Sequence, residues 1–224
     1  IKYNHLNLPT TIYFENGSFI NYLYNAVGTK LGKTVTSVSP ESGSVATQTD
    51  YLNGFQYKYN ELQFFPTAEG YVSVIEGQKI NYVYNYTNHL GNIRLSYTQS
   101  GTELKIMEEN HYYPFGLKHS NYNTDIARLT KSADGISVIV RPTERSDYQY
   151  KYNGKEYQDE LGLNVTAMDY RQYDSAIGRF NGMDRLAELV PNMTPYRFAF
   201  NNPNFWADPT GLLEQNIENL EHCP

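Results

Sequence analysis

Tyrosine carries the hydrophobic load of this chain: 22 Tyr and 10 Phe stand beside a single Trp, and the mean hydropathy is −0.61. A ring with a polar tip suits a half-buried strand position, where one face packs and the hydroxyl reaches water or a partner. The chain is therefore expected to be all-β, an extended, twisted sheet rather than a compact aliphatic core. Its 224 residues can bury a substantial interior as one large domain or two smaller ones.

Turn residues punctuate the strand-like text. Leu8–Phe14 and Phe19–Asn25 flank Glu15-Asn16-Gly17-Ser18, and an Asn-Gly between alternating runs predicts a hairpin. Tyr-Asn recurs at Tyr3-Asn4, Tyr24-Asn25, Tyr59-Asn60, Tyr84-Asn85, Tyr122-Asn123 and Tyr152-Asn153, a degenerate β-repeat with irregular spacing or else chance in a chain rich in both residues. Two copies share a setting, Ile20-Asn21-Tyr22-Leu23-Tyr24-Asn25 and Ile80-Asn81-Tyr82-Val83-Tyr84-Asn85. Ser37–Asp50, rich in Ser, Thr, Gly and Pro, reads as a loop. Strands are expected at Tyr51-Leu52, Phe64-Phe65, Tyr71–Ile75 with a turn at Glu76-Gly77, on both sides of His89–Asn92, and over Glu103–Glu109. Alternation in Ile93–Tyr97 predicts Ile93, Leu95 and Tyr97 on one face. A second loop is expected over Asn121–Asp147, with a short strand at Ile136–Val140; short helices are expected at Asp184–Val190 and Leu213–Leu220.

Several function classes are excluded or left without support. A formal charge of −6 with scattered Lys and Arg gives no footprint for nucleic acid. One cysteine, Cys223, allows neither a disulfide framework nor a Cys-based metal site, and His5, His89, His111 and His119 lack ligand spacing, so no metal or cofactor is expected. No apolar run approaches the roughly 20 residues of a membrane-spanning helix. The first residue is Ile1 rather than Met, as expected of a fragment.

An ordered series of motifs fills the second half: Tyr84-Asn85-Tyr86-Thr87-Asn88-His89-Leu90-Gly91-Asn92-Ile93-Arg94, Glu109-Asn110-His111-Tyr112-Tyr113-Pro114-Phe115-Gly116-Leu117, Tyr152-Asn153-Gly154-Lys155-Glu156, Asp159-Glu160-Leu161-Gly162-Leu163-Asn164, Tyr173-Asp174, Gly178-Arg179-Phe180, Met183-Asp184 and Asp208-Pro209-Thr210-Gly211-Leu212. The series closely resembles the RHS/YD-repeat-associated core domain of bacterial polymorphic toxins, in its Bacteroidetes-type style, over roughly residues 80–212; residues 1–36 resemble generic YD repeats. The resemblance implies β-hairpin ribbons spiralling into a hollow shell, as in insecticidal toxin-complex subunits. Residues 1–79 would be degenerate YD-repeat hairpins, residues 80–212 the core domain that plugs the shell, and residues 213–224 a stub too short to be a toxin. In such proteins the core domain cuts the chain after the Leu of D-P-x-G-L, which here is the bond between Leu212 and Leu213. The implied partners are the chain's own C-terminal toxin segment and a secretion-system or shell protein; the implied location is secreted or cell-surface.

Peptide hydrolysis without Ser, Cys or metal needs a carboxylate to activate water and a proton donor for the leaving nitrogen, which two close Asp side chains sharing a proton provide. Asp184 matches the family's Asp after G-R-F and is the first choice; Asp208 and Asp159 are candidates for its partner. Pro209 and Gly211 would fix the turn that presents the bond, and Arg179 would bind a carboxylate or the developing oxyanion. Structural readings stand beside each: Asp208 as a turn residue, Arg179 in an ordinary salt bridge, Asp184 as a helix cap. Two departures from the family pattern are Ser175 in place of a proline and Arg185 beside Asp184, a cation that favours the ionised acid. The alternative function is a non-catalytic cell-surface YD-repeat protein for adhesion or glycan binding; paired carboxylates of a glycoside hydrolase find no support.

Overall fold

The computed structural model describes residues 1–41, 43–75, 79–119, 128–131, 137–140 and 148–216. The protein is all-β. Eleven strands pair antiparallel in sequence order as one meandering sheet: β1 (Lys2–Tyr3), β2 (Pro9–Tyr13), β3 (Phe19–Tyr24), β4 (Lys30–Ser39), β5 (Gly43–Leu52), β6 (Phe55–Lys58), β7 (Glu61–Thr67), β8 (Gly70–Ile75), β9 (Lys79–Thr87), β10 (Ile93–Ser100) and β11 (Glu103–Glu109). A hairpin follows, β12 (Arg128–Lys131) with β13 (Ser137–Val140), then a four-stranded sheet of β14 (Glu156–Gln158), β15 (Val165–Ala167), β16 (Gln172–Asp174) and β17 (Arg179–Phe180). The pair β18 (Trp206–Ala207) and β19 (Gln215–Asn216) ends the described chain.

One turn design recurs. At Asn4–Leu8, Phe14–Ser18, Asn25–Thr29, Asn88–Asn92 and Tyr113–Leu117 the first N–H donates to the fifth carbonyl, and the fourth N–H donates to the first carbonyl. The fourth residue is always left-handed, so it is Asn7, Gly17, Gly28, Gly91 or Gly116. Asn4, Asn25 and Asn88 also accept two backbone amides each on Oδ1, which places Asn at the turn's entry. Tyr-Asn therefore marks turns: Tyr3-Asn4 and Tyr24-Asn25 enter this design, while Tyr59-Asn60 and Tyr152-Asn153 form tighter turns with positive φ. Tyr84-Asn85 lies inside β9, and Tyr122-Asn123 lies outside the described residues.

The hairpin predicted around Asn16-Gly17 forms, with Ile12 opposite Ile20. Residues 37–50 correct the loop expectation: β4 and β5 run ten residues each and pair from Gly32↔Asp50 to Ser39↔Gly43. β4 carries Thr34, Val35, Thr36 and Val38, and in β5 every second residue from Val45 to Thr49 is β-branched, which outweighs the Ser and Gly content; turn residues lie at the tip at Pro40 and Glu41. Alternation in β10 is also corrected, because bulges on both sides shift its phase. Ile93 is buried but so are Ser96 and Thr98, which donate to Asn85 and Asn81 of β9, while Leu95 and Tyr97 are only half-buried. The two matching hexapeptides likewise turn opposite faces inward: Ile20 and Tyr22 are buried, whereas Ile80, Tyr82, Tyr84 and Tyr86 stand exposed around buried Val83.

The expected helix at residues 184–190 is only a 3₁₀ turn at Ala187–Leu189. At the expected C-terminal helix the chain runs as strand β19, and residues 217–220 lie outside the described residues. In the second expected loop β12 and β13 pair, the latter within the expected short strand; the remainder, and the Glu76-Gly77 turn, lie outside the described residues.

The segment 148–163 crosses the large sheet and joins it to the C-terminal half. Tyr148 and Tyr150 pack on Phe64, Tyr71 and Val83, with Tyr71 and Tyr148 stacked at 4.0 Å, and Leu161 and Leu163 pack on Ile12 and Ile20. Between these contacts Glu156 is buried against Lys30 and Lys33, the latter at 2.8 Å; Tyr51 donates to Glu156 at 2.8 Å, and Lys33 also pairs with Glu160. Beyond the crossing, Tyr152, Met168, Tyr173, Phe180, Phe198 and Ala199 form a separate core. The Pro114–Leu117 turn closes on it: a Cβ at Gly116 would stand 2.3 Å from the Tyr152 ring, so only glycine fits.

Burial pushes the Glu156 carboxyl up, but Lys30 and Lys33 outweigh it and hold the group at about 2, below its usual 4.5. A depressed carboxyl stabilises the fold above its unfolded value and loses that contribution as pH falls from 4.5 toward about 2. Glu156→Gln is expected to cost about 3 kcal/mol at neutral pH, by leaving the lysines short of a buried counter-charge, and to flatten this acid limb in thermal melts taken across pH.

Candidate functional site

Arg171 enters β16 two residues before Tyr173, on the parity that faces the core, and its side chain is buried. Its guanidinium lies over the Phe180 ring, 3.7 Å from the centroid, so the aromatic of Gly178-Arg179-Phe180 fixes its plane. One nitrogen, Nη2, donates to Asp184 Oδ2 and to Asp208 Oδ2, each at 3.2 Å. Nε donates to the Gly211 carbonyl at 2.6 Å and Nη1 to the Pro195 carbonyl at 3.0 Å. The two aspartates, 24 residues apart in sequence, thus meet on a single cation, and both are almost wholly buried.

Asp208 also organises its own turn. Its Oδ1 accepts the amides of Gly211 at 2.7 Å and Leu212 at 3.0 Å, and the Thr210 hydroxyl at 3.4 Å. Pro209 has no N–H to compete and Gly211 is left-handed; a Cβ on Gly211 would crowd the Arg171 backbone at 3.2 Å. Tyr170 donates to the Thr210 carbonyl at 3.0 Å, tying the turn to the strand that carries Arg171. Asp184 Oδ1 accepts the Leu186 amide at 2.8 Å, and its own amide donates to Pro195. Asp184 and Asp208 therefore serve as turn residues and as members of the buried cluster at once.

Arg197 completes the cluster. Its Nη1 lies 3.9 Å from Asp184 Oδ2, its Nε 2.7 Å from Glu214 Oε1, and its Nη2 donates to Glu214 Oε2 at 3.2 Å; both side chains are 1% exposed. Three acids and two arginines sum to −1 when all are ionised, and a buried excess of negative charge favours one bound proton. Burial pushes the Asp208 carboxyl up from its ordinary value, and Arg171 and the Gly211 and Leu212 amides pull the other way without cancelling it. A cavity of about 760 Å³, lined by Lys30, Tyr51 and Glu156 on one side and by Met168, Arg171 and Gln172 on the other, reaches the edge of the cluster.

The remaining candidates lie elsewhere. Arg179 pairs across β16 and β17 with Asp174 and lines a second cavity of about 360 Å³ with Tyr113, Phe115 and Ile177. Asp159 precedes a 3₁₀ turn whose Glu160 pairs with Lys33. Arg185 lies over the Tyr170 ring at 5.3 Å. Arg171, Arg197 and Glu214 were not singled out in the sequence; the signal was an arginine at core-facing parity between aromatics, in Tyr170–Tyr173 and in Tyr196–Phe198, which must find acids when buried. Among the described residues no His, Cys, Asp and Glu group is placed to hold a metal ion, and no helix is long and apolar enough to cross a membrane.

No protein-family model and no curated protein matches the chain. Solved structures do. Complexes described as TcdB2-TccC3-TEV and TcdB2-TccC3-Cdc42 each match with a TM-score of 0.69 and 20% identity, over 94% of this chain and 10% of theirs. A Photorhabdus luminescens Tc holotoxin pore with a mutated TccC3 matches with a TM-score of 0.67 and 20% identity, over 96% of this chain and 10% of that one. The likeness shows the fold, and the chain spans about a tenth of the length of these neighbours.

Replacing Arg171 with Met leaves two buried acids without their shared cation, which is expected to cost about 3–5 kcal/mol. In that variant Asp208, already pushed up by burial, loses the cation that pulls it down, so the loss is largest at neutral pH and shrinks on acidification as it takes up a proton. Thermal melts of wild type and Arg171→Met at pH 7 and near the ordinary carboxyl range check both statements.

Proposed function

We propose that the chain is part of an RHS-type toxin shell, with residues 1–79 as wall and residues 80–212 as the core domain that closes it, and that it cuts itself between Leu212 and Leu213 by an aspartyl mechanism. The observation that supports the reading is Asp184 and Asp208 held on one nitrogen of Arg171, with Asp208 gripping the amides of Gly211 and Leu212. In this mechanism ionised Asp184 takes a proton from water as its oxygen bonds to the Leu212 carbonyl carbon. Protonated Asp208, the acid that burial pushes up, gives its proton to the Leu213 nitrogen as the C–N bond breaks. The products are a Leu212 carboxylate and a Leu213 amine. The resemblance to Tc toxin complexes supports an enclosed C-terminal effector as cargo, and a secreted or cell-surface location.

A second reading rests on a different observation. Tyr82, Tyr84 and Tyr86 form an exposed row on β9, the kind of aromatic surface that binds sugars, as an adhesive YD-repeat protein would need.

Expressed with a C-terminal extension, the wild-type chain is expected to separate after Leu212 in the intact mass of denatured protein. Asp184→Asn and Asp208→Asn should each slow the cut by at least about 100-fold, and the rate should fall as pH rises past the elevated Asp208 value. An uncut wild-type chain would remove the protease role, and glycan binding abolished by changing the three tyrosines to Ala would favour the second reading.

A further inference from the structure

The second cavity, of about 360 Å³, is built by two motifs that the cleavage reading leaves unused, the Tyr113–Leu117 turn and the arginine of Gly178-Arg179-Phe180. Both walls are fixed. The Tyr173 hydroxyl donates to the Phe115 carbonyl at 2.7 Å, which ties the turn to β16, and Tyr113 stacks on His119 at 3.8 Å. Gly178 is left-handed and sits on the Phe115 ring, which a Cβ would approach to 3.0 Å. Arg179 is the only charged residue among those that line the cavity. Asp174 is its register partner across the strands, but Asp174 Oδ1 accepts the Ala176 amide at 2.9 Å and the two side chains form no ion pair. Among the described residues the half-buried Arg179 side chain has neither a hydrogen bond nor an ion pair. Ser175, standing where the family pattern has proline, adds a hydroxyl to the same lining, likewise without a partner among the described residues. A half-buried guanidinium with no counter-charge, beside a free hydroxyl, is a site lacking its acceptor.

We propose that this cavity docks a partner protein through a short segment in which one acidic residue stands beside an apolar one. The carboxylate takes the guanidinium fork of Arg179 and the Ser175 hydroxyl, and the apolar neighbour packs on Phe115, Leu117 and Ile177. One cation matches one negative charge, whereas a phosphate would bring a second charge with nothing to meet it. The apolar surface also continues past the cavity: Leu117, Tyr113 and Ile177 are 38%, 52% and 64% exposed. A small carboxylate would fill the cavity and leave that rim in water; a chain segment covers both. Because the walls are already locked, little ordering is lost on binding. The site shares no hydrogen bond with the acid cluster and does not depend on the cleavage reading.

The test titrates the nitrogen-15-labelled full chain with a capped hexapeptide carrying one glutamate between two leucines, with serine and glycine at the remaining positions. The Gly178 and Arg179 amide resonances are expected to shift and saturate with a dissociation constant below about 1 mM. The same peptide with glutamine for glutamate should bind at least about tenfold more weakly, and Arg179→Gln should weaken the acidic peptide by a similar factor. Arg179→Lys, which keeps the charge without the fork, should fall between, and Ser175→Ala should cost about threefold. Shifts that never saturate overturn the proposal. Glutamine peptide bound as well as the acidic one reduces the site to an apolar patch, and inorganic phosphate bound as tightly as the peptide makes it a small-anion site; either result also overturns it. Melting temperatures identify a variant that fails to fold, in which case the comparison of the two peptides on wild type decides alone.

Discussion

A single guanidinium holds the C-terminal half of this protein together. Arg171 donates to two buried carboxylates, the buried Gly211 carbonyl and the half-buried Pro195 carbonyl, and rests on the face of Phe180. Its partners come from the segment around Asp184, from Pro195 and from the Asp208–Gly211 turn, each with little regular structure of its own. A planar fork with fixed donor directions can bring such segments to one point where a lysine's flexible ammonium cannot. The short strands β14 to β17 and the aromatic core beneath them supply the rigid platform on which that fork stands.

The rest of the molecule delivers this platform to the large sheet. The crossing segment 148–163 fills the sheet's buried face with tyrosines and leucines, and its Glu156 and Glu160 meet Lys30 and Lys33. Tyrosine serves at these positions because its hydroxyl meets buried polar groups: Tyr22 donates to Gln158 at 2.8 Å and Tyr51 to Glu156, acceptors that phenylalanine would leave unpaired. Part of the tyrosine content that marks the chain as β-rich thus serves the interface between a sheet and the segment lying across it, while other tyrosines, such as Tyr82 and Tyr86, stand exposed.

Legibility in the sequence followed how local each cause is. Turns are set by one or two residues, so Asn16-Gly17 is legible directly, whereas Tyr-Asn reads only as a repeat until the fold shows that most copies stand at turns. Which face of a strand is buried depends on bulges and on what crosses the sheet, so Ile20 and Ile80 share a hexapeptide but not an environment. Residues 37–50 have a loop-like composition but pair as strands, because β-branched side chains on one face outweigh Ser and Gly. At the site, Asp184 and Asp208 are legible from their motifs, whereas Arg171, the cation between them, is not, and Arg179 stands elsewhere. The motif's arginine pairs across a strand from Asp174, and its phenylalanine supports the cation that matters. Glu214, in text dismissed as a stub, pairs with an arginine 17 residues earlier, a contact that no local pattern announces.

Two buried ionic groups invite comparison, and their charge sums separate them. Lys30, Lys33, Glu156 and Glu160 balance to zero, and Glu156 is held firmly ionised. That is what joining two layers requires: each charge has its counter-charge, and protonation would only weaken the joint. Asp184, Asp208, Glu214, Arg171 and Arg197 sum to −1, and burial moves Asp208 toward its protonated form. A well-packed apolar centre would hold the same segments at least as well, since buried ion networks rarely exceed apolar replacements in stability. An unbalanced buried cluster wrapped around a turn whose amides it grips is a costly way to build a scaffold, and the proposed proton transfer gives that cost a purpose.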